Sequence, residues 1–235
     1  MKCERLLPVA HHRIPIMSSD IGVFGMGVMG QSLAMNIASK GFRVTVTNRS
    51  TSPLRVSRTL DRARAEGLER NVAGALDSKE FIKTLSVPRK VIILVPAGKA
   101  VDAVIEELSP ELECGDILID GGNEWYEHSI RRAKDLQEVR RVHYIGMGIS
   151  GGEEGARNGP CLMPGGTLEA FYAVQNILEK CCAHAEGLPC MTYIGPIGSG
   201  NYVKMIHNGL RSPAFESTYV HPVRRNRVWL NATHR

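Results

Sequence analysis

Three glycines in the run Gly25-Met26-Gly27-Val28-Met29-Gly30 have the spacing that brings backbone amides against a pyrophosphate. The first permits a tight turn, the second lets a phosphate approach the main chain, and the third allows the following helix to pack closely on the preceding strand. An isolated match of this kind is weak. Here it follows the apolar run Ile21-Gly22-Val23-Phe24 and precedes helical periodicity, so a helix N-terminus presents its unpaired N–H groups and the positive end of its dipole to the phosphates. In dinucleotide sites the cofactor is chosen about 20 residues further on, at the end of the second strand, where an acid binds the ribose 2′-hydroxyl of NAD. That position reads Asn48-Arg49-Ser50-Thr51, with no carboxylate, and the Arg49 fork suits a 2′-phosphate. The expected cofactor is NADP rather than NAD; the competing reading makes Arg49 an ordinary exposed turn arginine.

Other reactive residue types fall at the ends of later strands. Val95-Pro96-Ala97-Gly98 and Asp120-Gly121-Gly122-Asn123 both belong on the carboxyl edge, where open α/β sheets collect ligands. Val95 and Ala97 are expected beside the cofactor. Asn123 can offer donor and acceptor to a nicotinamide or a substrate hydroxyl, although an asparagine after two glycines is more often a turn residue. The stretch from Gly146 to Arg157 is too glycine-rich for a packed core, and its free amides with the Ser150 hydroxyl suit a carboxylate or a polyol. On the last helical stretch, Lys204, His207, Asn208 and Arg211 recur at i, i+3, i+4 and i+7 and share one face, with Val203, Ile206 and Leu210 on another. That polar face is either a substrate grip or a solvated surface, and periodicity alone favours the latter.

The elements that must position these residues alternate between β-branched runs and helical periodicity, the pattern of parallel βαβ units. Strands are expected at 21–24, 43–47, 91–95, 117–120, 143–146 and 191–194. Helices are expected at 30–40, 55–69, 78–86, 101–108, 127–139, 168–182 and from 200 past 207. Residues 151–166 read as a loop with at most one helical turn. The fold class is α/β, a doubly wound and mostly parallel sheet.

Composition limits the function classes. Hydrophobic residues make 43% and charged residues 23% of the 235, as in soluble globular domains, and no apolar run approaches the ~20 residues that span a bilayer. The net charge of +5 is carried at the ends, with +2 over residues 1–19 and +4 over 211–235, leaving −1 for 20–210. A near-neutral core argues against a nucleic-acid-binding face. The six cysteines, without C-x-x-C spacing, suggest reduced thiols in the cytoplasm and no metal site. Residues 1–19 are read as an N-terminal extension whose first sixteen residues lack any period and are expected to be unstructured, with Met17 as the natural start and a transit peptide as the alternative.

In order along residues 20–210, the glycine run, Asn48-Arg49-Ser50, Asp120-Gly121-Gly122-Asn123, the run Ser150-Gly151-Gly152-Glu153-Glu154-Gly155-Ala156-Arg157, Met163-Pro164-Gly165-Gly166 and Lys204-Met205-Ile206-His207-Asn208-Gly209 resemble the 6-phosphogluconate dehydrogenases. Some of these pieces also suit the wider β-hydroxyacid dehydrogenases, 3-hydroxyisobutyrate dehydrogenases included. The resemblance implies a Rossmann-type NADP-binding domain over 20–198, the start of a linking helix over 199–211 and only the beginning of the family's all-helical second domain, with a divergent basic tail over 212–235. It implies oxidation of 6-phosphogluconate at C3 by NADP with loss of carbon dioxide, giving ribulose 5-phosphate in the pentose phosphate pathway. Lys204 is implied as the catalytic base, which asks for a lysine of lowered pKa. Residues 25–30, Asn48, Arg49, Ser50, Val95, Ala97 and Asn123 are implied at the cofactor, and Asn123, Ser150, Gly151, Gly152, His207 and Asn208 at the sugar acid. The resemblance breaks at Leu210-Arg211-Ser212, where the family has a hydrophobic residue, a proton-donating glutamate and a phosphate-binding tyrosine. The tail looks like an altered reading frame or an alternative end, and the dimerising domain of the family is expected to be absent. Two function classes follow: an oxidoreductase of this family, or a truncated, non-catalytic dinucleotide-binding remnant.

Overall fold

The computed structural model describes residues 18–49 and 53–210. Expectations placed on residues 1–17, on Ser50 and on Arg211 and the tail lie outside the described residues. In chain order the elements are β1 (Ile21–Phe24), α1 (Val28–Ser39), β2 (Val44–Thr47), α2 (Pro53–Ala65), β3 (Val72–Gly74), α3 (Ser78–Lys83), β4 (Lys90–Ile93), α4 (Lys99–Leu108), β5 (Ile117–Asp120), α5 (Tyr126–Arg140), β6 (His143–Ser150), α6 (Gly152–Asn158), β7 (Cys161–Gly165), α7 (Leu168–Cys181), the short pair β8 (His184–Ala185) and β9 (Leu188–Pro189), and α8 (Ser199–Leu210).

Seven strands form one sheet in the order β3-β2-β1-β4-β5-β6-β7, parallel throughout except for the antiparallel pair β6–β7. Chain order reverses between β1 and β4, which leaves a crevice at their carboxyl ends. The inner strands are buried on both faces, so they carry continuous apolar runs whose side chains alternate between two layers. Ile21 and Val23 of β1 join Val44, Val46, Ile117 and Ile119 against α1 and α7, while Phe24, Val91, Ile93 and Leu118 meet Phe81, Val101, Val104 and Leu108 on the other face. In α4 those last three residues fall at i, i+3 and i+7, which turns one stripe of the helix to the sheet.

Two segments depart from the sequence reading. The glycine-rich stretch 151–166, expected as a loop, contains α6 and the whole of β7. Long-range contacts stabilise α6: Asn36 of α1 donates its carboxamide N–H groups to the carbonyls of Ala156 (3.0 Å) and Cys181 (2.9 Å), and Arg157 pairs with Glu66 of the α2 region at 2.8 Å. The strand expected at 191–194 is instead extended chain that meets β7 only at the bridges Leu162–Met191 and Gly165–Gly195. Its hydrogen bonds are Leu162 N–H to Cys190 O (3.0 Å), Ile194 N–H to Pro164 O (2.9 Å) and Gly166 N–H to Gly195 O (3.0 Å). Strand β3, unmarked by any long β-branched run, adds on beside β2.

Strand β6 runs four residues beyond its expected end because residues 146–150 pair with β7, and α8 lies across the pair. A Cβ at Gly146 would overlap the Asn201 side chain, one at Gly148 would press on Lys204 Cβ, and one at Gly200 would overlap the carbonyl oxygens of Met163 and Gly146. Glycines thus serve close approach here, letting a helix sit directly on a strand pair.

Candidate functional site

The loop after β1 has the geometry its glycines suggest. Gly25 has φ +109°, and a side chain there would strike the Leu94 carbonyl; a Cβ on Gly30 would strike the Gly25 carbonyl. Gly27, the N-cap of α1, faces open space, and the nearest atom to a Cβ there is Arg55 Nη1 at 4.0 Å. The first turn of α1 contains no acid. Met26 is fully buried and Met29 packs on the core, whereas Val28 is exposed. Asn48 does not point outward: its carboxamide oxygen accepts the Met26 N–H at 2.9 Å and thereby ties the end of β2 to the glycine loop. Arg49 beyond it is exposed. Arg55, at the start of α2, is a second guanidinium beside this loop that sequence reasoning did not single out.

A second group gathers where β5, β6 and α8 meet. Ser150 ends β6 and is buried, and Gly151 (φ +131°) and Gly152 (φ +61°) turn the chain into α6 with exposed main chain. Lys204 is only 8% exposed, which overturns the solvated-face reading; the Gly148 backbone beneath it creates the room. His207 is half-buried and Asn208 exposed, and the Asn208 Nδ2 reaches Asn123 Oδ1 at 3.4 Å, so two residues 85 positions apart meet across the end of β5. Ser129 of α5 donates to Asn201 Oδ1 at 2.9 Å, holding α8 from beneath. Ile206 and Leu210, on the other face of α8, are 43% and 47% exposed, as expected of a helix only partly covered. Val95 is half-buried and Ala97 exposed at the end of β4, beside the glycine loop.

Between the two groups lies a buried charge network that sequence reasoning missed. Arg132 of α5 donates to Glu124 Oε2 (2.6 Å), Asp102 Oδ1 (2.8 Å), the Gly98 carbonyl (2.9 Å) and, at 3.4 Å, Asp120 Oδ2. Glu124 also accepts the N–H of Gly98 (2.8 Å) and of Trp125 (2.9 Å) and contacts His128 Nδ1 at 3.0 Å. Burial works to raise the Glu124 carboxyl, but the Gly98 N–H, Arg132, His128 and the Trp125 N–H outweigh it and hold it down to about 2. Asp102 is held at about 2 chiefly by Arg132. Asp120 goes the other way, pushed up by burial although Gly122 N–H, the Tyr144 hydroxyl and Arg132 all favour its charge. The one signal available beforehand was periodicity: Ser129, Arg132 and Leu136 share the inward stripe of α5. Among the described residues no cluster of three or more His, Cys, Asp or Glu could hold a metal ion, and no helix is long and apolar enough to cross a membrane.

A family model described as the NAD binding domain of 6-phosphogluconate dehydrogenase matches residues 20–195. This chain belongs to the 6-phosphogluconate dehydrogenase family. It is 55% identical over 192 residues to 6-phosphogluconate dehydrogenase, decarboxylating 3, chloroplastic, of Arabidopsis thaliana, a match that covers 82% of this chain and 39% of that one. The NADP(+)-dependent, decarboxylating enzyme of Bacillus subtilis is 51% identical over 191 residues, with 81% and 39% covered. Among solved structures, a Plasmodium falciparum 6-phosphogluconate dehydrogenase, described in apo form and with its cofactor NADP+ and its substrate 6-phosphogluconate, superposes with a TM-score of 0.77 at 52% identity. That superposition covers 81% of this chain and 40% of the other. The chain therefore spans about two fifths of the length of the family members it matches.

Proposed function

We propose that residues 20–198 bind NADP and that, with α8, they form the reacting half of a 6-phosphogluconate dehydrogenase site. The observation that carries the cofactor assignment is the open cradle at Gly27, with Arg49 and Arg55 near it and no carboxylate at the end of β2. The residues present fit the cofactor: a pyrophosphate takes the α1 N-terminus and a 2′-phosphate takes Arg49. Equal calorimetric affinities for NADP and NAD would overturn this reading, and Arg49→Asp is expected to reverse the preference.

NADP, when bound, supplies the hydride acceptor. On the protein's side, Lys204 takes the proton of the substrate C3 hydroxyl and returns one to the C3 oxygen as carbon dioxide leaves. Asn123, Ser150, Gly151, Gly152, His207 and Asn208 hold the sugar acid. The burial of Lys204 over Gly148 and the Asn123–Asn208 contact support this division of work. The second acid is missing at the expected place, because Arg211 cannot donate a proton at neutral pH. A polypeptide of these 235 residues is therefore expected to bind NADP while turning over 6-phosphogluconate at least ~10²-fold more slowly than a full-length family member. Absorbance of NADPH measures this, and full turnover would remove the non-catalytic reading. We place the chain in the cytoplasm, as a small-molecule enzyme without a nucleic-acid partner. A fluorescent fusion separates this from the plastid location in the name of the Arabidopsis relative.

A further inference from the structure

The two peptide units that flank the Gly98 Cα are held by one ion pair: Glu124 accepts the Gly98 N–H at 2.8 Å and Arg132 donates to the Gly98 carbonyl at 2.9 Å. Gly98 is the N-cap of α4, has φ +83° and receives no side-chain cap from its own helix, so an orphan donor at that terminus is satisfied from α5 and the loop before it. Both charged side chains are almost fully enclosed, at 1% and 2% exposure. A buried ion pair contributes little net stability, because desolvation offsets most of its attraction. Its geometric effect is larger. It locks the loop after β4, which carries Val95 and Ala97, to the loop after β5, which carries Asn123 immediately before Glu124.

The opposite ends of the same two strands carry a matching device with no ligand group near it. Asp116, before β5, accepts the Arg89 N–H at 2.7 Å, Arg89 Nη1 at 3.0 Å and the Glu113 N–H at 2.9 Å. One buried clamp thus faces the crevice and the other faces away, which supplies an internal control.

We propose that Glu124 and Arg132 are positioning residues for the nicotinamide half of the cofactor, acting through Ala97, Gly98 and Asn123; this rests on the NADP reading above. The adenosine 2′-phosphate half lies on residues 25–30, 48 and 49, which the pair does not touch. Glu124→Gln removes the charge and keeps the shape. Calorimetry should then show NADP bound about tenfold more weakly, the scale of one lost charge-assisted hydrogen bond, with 2′,5′-ADP affinity changed less than about twofold. Asp116→Asn should lower the unfolding temperature and leave both affinities as they are. Should Glu124→Gln not fold, Arg132→Lys keeps a cation beside Glu124, loses the Gly98 carbonyl contact and is read by the same ratio. Equal weakening of both ligands, or of neither, overturns the positioning role. A wild type that binds neither ligand overturns the dinucleotide reading itself, which separates the two failures.

Discussion

The glycine loop after β1 and the cluster around Lys204 lie on one sheet and face the same crevice, yet different physics positions them. The loop is assembled mostly from neighbours in sequence: a buried strand, two forbidden Cβ positions and a helix start, tied to the end of β2 by the Gly25 N–H to Thr47 carbonyl bond and by Asn48. The cluster is assembled from residues 123 to 208, brought together by a helix that rests on glycines of β6 and β7 and by a carboxylate–guanidinium network between two crossovers. A site built locally tolerates changes elsewhere in the chain. A site built from distant pieces depends on every contact that sets their spacing.

The strongest way to break this comparison is Arg132→Ala. It leaves Glu124 and Asp120 buried without their cation, and removal of one partner from a buried pair costs about 3–5 kcal/mol. Urea denaturation should show a loss of that size; a loss below about 1 kcal/mol would mean that the network relaxes to water.

Next come two glycine substitutions aimed at the two halves. Gly30→Ala and Gly200→Ala each press a methyl group on backbone carbonyls that cannot swing aside, for an expected cost of about 2–3 kcal/mol. Their ligand effects should separate: Gly30→Ala weakens NADP binding, whereas Gly200→Ala displaces α8 and spares it. Loss of NADP affinity in both variants would show that the halves are not independent.

Acid should act mainly on the distributed half. Glu124 and Asp102 have folded-state values depressed to about 2, so their stabilisation is complete above the ordinary value of 4.5 for Glu124 and is lost as pH falls towards 2. Asp120, raised by burial, contributes with the opposite sign, fully below its ordinary range and less as pH rises through its raised value. Thermal melts should therefore fall steeply below about pH 4.5, and Glu124→Gln should flatten that limb. An unchanged acid limb in Glu124→Gln would place the sensitivity elsewhere.

The smallest expected effect is the coupling between Asn123 and Asn208. Their contact is long and exposed, so a double-mutant cycle to alanine should give at most about 0.5 kcal/mol in stability. A larger coupling would indicate that this pair, and not the buried network, sets the spacing of the crevice.

The same division explains what could be read from sequence. Strand β5 was legible to the residue, because three consecutive apolar positions, Ile117, Leu118 and Ile119, between turn signals specify it locally. The glycine loop was legible from its spacing: Gly25 and Gly30 avoid clashes with the adjacent strand and with the loop itself, and Gly27 leaves open the approach to the α1 N-terminus. Helix α6 and strand β7 were hidden, because Asn36, Glu66 and the flank of β6 supply the partners that make 151–166 regular. Lys204 stood on a face that periodicity read as solvated, since nothing local marks Gly148 as the space beneath it. Glu124 and Arg132 were hidden most completely: charged residues in a polar helix pattern read as surface until the fold encloses them.

Strand β7 carries one more consequence, which concerns the rim of the sheet and not its crevice. An outer strand with free N–H and C=O groups is a template for pairing with another chain. Here the chain from Cys190 to Gly195 takes up that side of β7 through three main-chain hydrogen bonds, and Pro164 lacks a donor in any case. The other rim is β3, three residues long. With one margin occupied and the other only three residues long, edge-to-edge pairing of this sheet with a second copy is disfavoured while the native sheet persists.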